Sequence, residues 1–249
     1  MIRILIGYCI IGSLYGQEPL EWGRVDSLRG LVYNNGSLFT GQVYKILEEG
    51  ELYGEYLNGV RHGIWQKLNR IEEPLMIGEY LEGKKTGIWQ YWYLNGNQKL
   101  YAGFDGGILN GEYKEWYEDG QKAVIANYKY GKENKKYLSW HPNGKKAVRA
   151  RFIDGVPEGK YTEWYLDGTK RLVIPYKNGK EDGTWIQWYA NGKKELTIDY
   201  VNGVAWGMAR FWYEDGKLEI EGEIISETPS GGFILRDRGG NRRYYELKR

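Results

Sequence analysis

Glycine and aromatic residues return in this chain at a fixed step of 24 residues, and so strict a period leaves few architectures open. One glycine column runs Gly59, Gly83, Gly107, Gly131, Gly155, Gly179, Gly203, and another runs Gly96, Gly120, Gly144, Gly168, Gly192, Gly216. Between them a third keeps the same step, with Gly63, Gly87, Gly111, Gly159, Gly183 and Gly207, and Lys135 at one place. Aromatic columns stay in register with these: Tyr56, Tyr80, Phe104, Tyr128, Phe152, Tyr176, Tyr200, and then Trp92, Trp116, Trp140, Trp164, Trp188, Trp212. Each period holds two short β-prone runs bounded by Asn-Gly or Asp-Gly turns, whose residues tolerate positive φ. No run carries a capped helical period. The expectation is an all-β fold: an elongated antiparallel meander of 24-residue β-hairpin repeats over residues 50–219, about seven copies. At about 4.8 Å per strand, roughly fifteen strands would extend about 70 Å.

Strand alternation assigns the rings to faces. In the stretch Gly183 to Lys193, Trp185, Gln187 and Tyr189 point one way, and Thr184, Ile186 and Trp188 the other. One layer cannot hide both faces, so either the sheet curls around one ring row or one row lies open. The candidate binding row is Trp92, Trp116, Trp140, Trp164, Trp188 and Trp212, because flat apolar rings at regular spacing suit sugars, peptides or partner strands. The competing role for the same residues, and the preferred one, is ladder packing between neighbouring hairpins.

The ends differ from the repeats. Residues 1–16 pair a charged start at Arg3 with a short apolar run, which reads as a secretory signal and predicts export to a periplasmic, outer-envelope or secreted location. Cys9 also invites a lipoprotein reading, but Tyr8 occupies a place that lipidation reserves for a small residue. With residues 1–16 removed, no cysteine remains, so packing alone must hold the fold. Residues 17–49 read as an N-terminal cap with a hairpin at Asn35-Gly36; Asn35-Gly36-Ser37 also fits a glycosylation acceptor, though the turn accounts for the same residues. Residues 220–249 read as a closing hairpin that protects the sheet edge, its positive charge fitting either that cap or an acidic partner or lipid headgroup. The repeat weakens at Leu68 and Glu72 in the first copy, and at Lys135 and His141 in a central one, where drift, a kink and a functional departure are the alternatives.

Little catalytic chemistry is on offer. His62 and His141 lack a metal-like partner set. Gly83-Lys84-Lys85-Thr86-Gly87 lacks the first glycine and the helix of a phosphate loop. Asp119, Asp167 and Asp215 supply one acid per turn where calcium needs several oxygens. Glu115 and Glu163 share a repeat column that Tyr91 and Gln187 fill elsewhere, which argues against an acid/base pair. The expectation is a non-enzyme without cofactor or metal. Its 35 basic and 33 acidic residues give a net charge of +2, too weak a field for non-specific nucleic-acid binding. The expected partner is a protein held on the extended sheet surface; the alternative is an envelope structural or glycan-binding module that meets glycan or a membrane surface.

The motif Tyr-x-x-Gly-x-x-x-Gly followed by Gly-x-Trp-x-x-Trp-Tyr-x-x-Gly-Lys is carried by Tyr80, Gly83, Gly87, Trp89, Trp92, Tyr93 and Gly96 and by the matching positions of later copies through Gly216. It resembles the bacterial variant of the MORN repeat, including proteins described as YwqK-family antitoxins. The resemblance implies a β-hairpin sheet and a scaffold or binding role, including neutralisation of a toxin in some members, and it implies no catalytic residues. The signal-like start departs from a cytosolic antitoxin.

Overall fold

A computed structural model describes residues 19–227 and 232–245; the signal-like segment 1–16 lies outside these. The chain divides into two compact units, Met1–Gly120 and Gln121–Arg249.

In the first unit, strands Gly41–Leu47, Gly50–Leu57, Val60–Asn69, Pro74–Leu81, Lys84–Trp92, Gln98–Asp105 and Ile108–Trp116 pair in sequence order, each antiparallel to the next. This is the expected meander, and its regular pairing already begins at Gly41. The short strand Leu20–Glu21 lies parallel along the edge strand Gly41–Leu47 and so covers backbone groups that would otherwise be open. A separate three-stranded sheet, Asp26–Leu28, Leu31–Asn34 and Ser37–Leu38, contains the hairpin expected at Asn35-Gly36. It holds the first repeat turn at both polar groups of Gly59: Val32 N–H donates to Gly59 O at 2.9 Å, and Gly59 N–H donates to Phe39 O at 2.7 Å.

The second unit continues the pattern from Lys122–Lys129 through Lys135–Trp140, Lys146–Ile153, Gly159–Trp164, Lys170–Lys177, Gly183–Trp188, Lys194–Val201, Val204–Trp212 and Leu218–Glu227. The hairpin Phe233–Arg236 with Arg242–Tyr245 follows, its first strand paired to Leu218–Glu227.

Two turn types alternate. At Asn202-Gly203 both residues have positive φ, 52° and 82°, the type I′ geometry whose twist matches the strands it joins. The opposite ends use longer turns closed by backbone bonds and a side chain; at Ala190 to Gly192, Tyr189 N–H donates to Lys193 O, Gly192 N–H to Tyr189 O, and Lys193 N–H to Asn191 Oδ1. A register shift accompanies each longer turn: Gln187 pairs with Leu196 but Trp188 with Lys194, which leaves Glu195 as a bulge.

One face of each unit carries its core. In the first, Tyr56, Trp65, Tyr80 and Trp89 form an edge-to-face ladder with centroid spacings of 5.4, 5.7 and 4.9 Å. Trp22 and Phe39 from the N-terminal segment cover the start of this ladder. Trp65 and Trp89 lie flat over Gly54 and Gly78, where any Cβ would enter the ring, and their indole N–H groups donate to the Glu55 and Glu79 carbonyls at 3.2 and 3.1 Å. Where the ring is tyrosine, the facing residue is alanine: Ala102, Ala126 and Ala150 are buried opposite Tyr113, Tyr137 and Tyr161. Side-chain volume is thus conserved across the pair rather than at either position. Trp185 departs from this rule, because Ile174 occupies the position of the small residue. Its ring tilts to 36° from Tyr200, and its buried Nε1 finds no acceptor. The second unit's densest core lies further on, where Leu196, Ile198, Ala209 and Phe211 pack with Phe233 and Leu235 of the last hairpin.

Candidate functional site

Every member of the Trp92, Trp116, Trp140, Trp164, Trp188 and Trp212 row is half-buried, while the ladder rings Trp65 and Trp89 are fully buried. Within each unit the row therefore falls on the more open face, as the alternation of Trp185 and Trp188 requires. Its backbone is tied between repeats. Tyr93 Oη donates to Trp116 O, Tyr165 Oη to Trp188 O and Tyr189 Oη to Trp212 O, at 2.9, 2.8 and 2.7 Å. Burial, and next the Glu195 carboxylate, raise the Tyr165 and Tyr189 hydroxyls above their ordinary pKa, so both remain protonated donors.

His141 occupies the tyrosine position in the divergent copy, and its Nε2 lies 2.9 Å from Trp164 O. A carbonyl only accepts, so this nitrogen carries the hydrogen and His141 makes the bond that tyrosine makes elsewhere. The departure at His141 therefore preserves the scaffold. Lys135 also keeps the scaffold, pairing with Phe152 as Gly159 pairs with Tyr176, but it does so with φ 66°, a strained value for a side-chain-bearing residue at a position that is glycine in the other copies.

Among the other chemical candidates, His62 keeps a buried Nδ1 without a hydrogen-bond partner among the described residues, whereas Glu163, Asp167 and the Gly83 turn make structural contacts. Glu163 accepts from Tyr161 Oη at 2.8 Å and pairs with Arg171 at 2.8 Å. Burial, and then that carboxylate, push the Tyr161 hydroxyl up strongly. Asp167 accepts from the hydroxyl and backbone N–H of Thr169, bonds that close its turn and hold its carboxyl below the ordinary range. Gly83 N–H donates to Arg61 O at 2.8 Å inside an inter-strand turn. Among the described residues no group of three His, Cys, Asp or Glu is placed to hold a metal ion, and no helix is long and apolar enough to cross a membrane.

What the second unit does present on its tryptophan face is a groove of about 820 Å³. Its floor is a cross-strand row, with Arg149 opposite Thr162, Thr162 opposite Val173 and Val173 opposite Ile186. Trp164 and Trp188 wall one side, and Lys136, Arg151 and Lys160 stand on the other. Lys146 and Lys170 each place Nζ 6.0 Å from the ring centroid of the next tryptophan, Trp164 and Trp188 respectively. The sequence reading found the two tryptophans and missed the cations. The available signal was the change at Arg149, whose repeat column holds Ile77, Tyr101, Ile125, Val173 and Thr197 elsewhere.

Antiparallel hairpin repeats bonded through matching turns, one buried face, and a second face with open rings define a repeat scaffold of the β-hairpin class. The family model described as the MORN repeat variant matches residues 109–130, 157–178, 181–202 and 207–225, which supports the MORN-repeat family. Three of those stretches start in step with the period, and the unmatched copy between 130 and 157 is the one holding Lys135 and His141. Comparison with curated proteins gave no match.

Proposed function

We propose that this chain is a non-enzymatic, exported scaffold that binds a protein partner through the sheet face bearing the tryptophan row. The observation that carries the proposal is the asymmetry of the second unit: Leu196, Ile198 and Phe211 on one face are sealed, whereas Trp164 and Trp188 on the other stay half-exposed in a groove. A face needed only for packing would be covered, and rings at the centre of a partly open surface are the usual anchors of protein recognition. Export rests on the signal-like residues 1–16, and a toxin is one partner that the family resemblance suggests.

Affinity purification of the chain from the envelope of its source, followed by mass spectrometry of the eluate, tests this role. A stoichiometric protein partner that is lost from folded Trp164→Ala and Trp188→Ala variants supports it. Retention on glycan with no protein partner refutes it and favours the envelope glycan-binding alternative, for which the same two rings are the motivating feature. An unprocessed N-terminus on the purified chain would refute export.

A further inference from the structure

The groove of the second unit carries more than two rings. Six cations line it, Lys135, Lys136, Arg149, Arg151, Lys160 and Lys170, all exposed, and none of the six makes an ion pair among the described residues. The single acid in the lining, Glu158, is already engaged as acceptor of the Asn178 N–H at 2.8 Å. The whole chain carries only +2, so positive charge is concentrated here rather than spread over the surface. Lys170 continues the repeat column of Lys122, Lys146 and Lys194, but repeat geometry does not demand the others. Arg151 shares its column with Glu79, Gly103, Asn127, Pro175 and Asp199, and Lys135 holds a strained backbone where glycine would relax it.

The two walls differ in chemistry and run across the strands. Lys136, Arg151 and Lys160 lie on successive strands toward the type I′ turns; Trp164 and Trp188 lie toward the longer turns, with the Thr162, Val173 and Ile186 floor between. The floor row from Arg149 to Ile186 crosses four strands, about 14 Å, which an extended segment spans in about four residues. Side chains of such a segment alternate between the two walls.

We infer that the groove receives an extended acidic segment of a partner protein, with alternate carboxylates on the Lys136, Arg151 and Lys160 wall and the intervening apolar side chains against Trp164 and Trp188. The inference rests on the protein-partner role proposed above and names the chemistry of the segment. Nucleic acid fits less well, because the whole chain carries a net charge of only +2, too weak a field to hold a phosphate backbone beyond the groove.

The test is fluorescence anisotropy of the full chain with an eight-residue, end-labelled peptide of alternating glutamate and valine, at low and physiological salt. A peptide of the same composition with all glutamates in one block is the comparison. The expected result is about tenfold tighter binding of the alternating peptide, weakened by salt, and about a tenfold loss on combining Arg149→Gln with Arg151→Gln. Lys217→Gln, an exposed cation in a turn outside the groove, should leave binding unchanged, and circular dichroism checks that each variant is folded. Equal binding of the two peptides, equal or tighter binding of a single-stranded oligonucleotide, or an unchanged double variant would overturn the inference. If the envelope partner is captured equally by the double variant, the groove assignment fails while the scaffold role stands. If the peptide binds as expected but the envelope yields no protein partner, the scaffold role fails while the groove chemistry stands.

Discussion

Replacing Gly78 by alanine adds one methyl group, and the structure makes that methyl expensive. Gly78 does not have positive φ, so alanine suits its backbone, and lower chain entropy alone would favour the change by about 0.4 to 1 kcal/mol. Against this, the new Cβ would lie inside the indole of Trp89, which is only 1% exposed and has no space to retreat. Displacing the ring strains its bond from Nε1 to Glu79 O at 3.1 Å, a net loss of about 1 kcal/mol. It also disturbs the contacts with Tyr80 at 4.9 Å and Tyr91 at 6.1 Å, together about 1 kcal/mol, and overpacks the face by about 1 to 3 kcal/mol. The expected net destabilisation is about 3 kcal/mol. Urea unfolding followed by tryptophan fluorescence and circular dichroism measures it; at a slope of about 2 kcal/mol/M the midpoint should drop about 1.5 M. Combining Gly78→Ala with Trp89→Tyr recreates the pair that Ala102 and Tyr113 form naturally, so the double variant should lose less than the sum of the singles by more than about 1 kcal/mol. A Gly78→Ala midpoint at or above wild type, or strictly additive singles, would refute the volume-exchange argument.

Two further substitutions address the divergent copy. His141→Tyr should keep the bond to Trp164 O and leave stability within about 0.5 kcal/mol, whereas His141→Phe should cost about 1 kcal/mol in thermal or urea unfolding; equal effects would show that the bond contributes nothing. Lys135→Gly should raise stability by about 0.5 to 1 kcal/mol by relieving φ 66°, net of glycine's greater entropy loss, and a lowered melting temperature would contradict that.

What the sequence determined by itself was local and periodic. The Asn202-Gly203 pair specifies a type I′ turn because asparagine and glycine tolerate positive φ, and recurrence every 24 residues repeats that choice along the chain. Period-2 alternation likewise placed Trp185 and Trp188 on opposite faces. Tertiary structure decided which face is sealed, because that depends on the bodies laid against it: Trp22 and Phe39 over Tyr56 in one unit, Phe233 and Tyr245 against Phe211 in the other. It also showed that His141 substitutes for tyrosine in one bond, and that Gly78 is small because Trp89, eleven residues later, lies upon it. The groove was least legible. Lys136 and Lys160 share one repeat column, but Arg149 and Arg151 come from two others, so only the strand register brings the four together, and column-by-column reading records them separately.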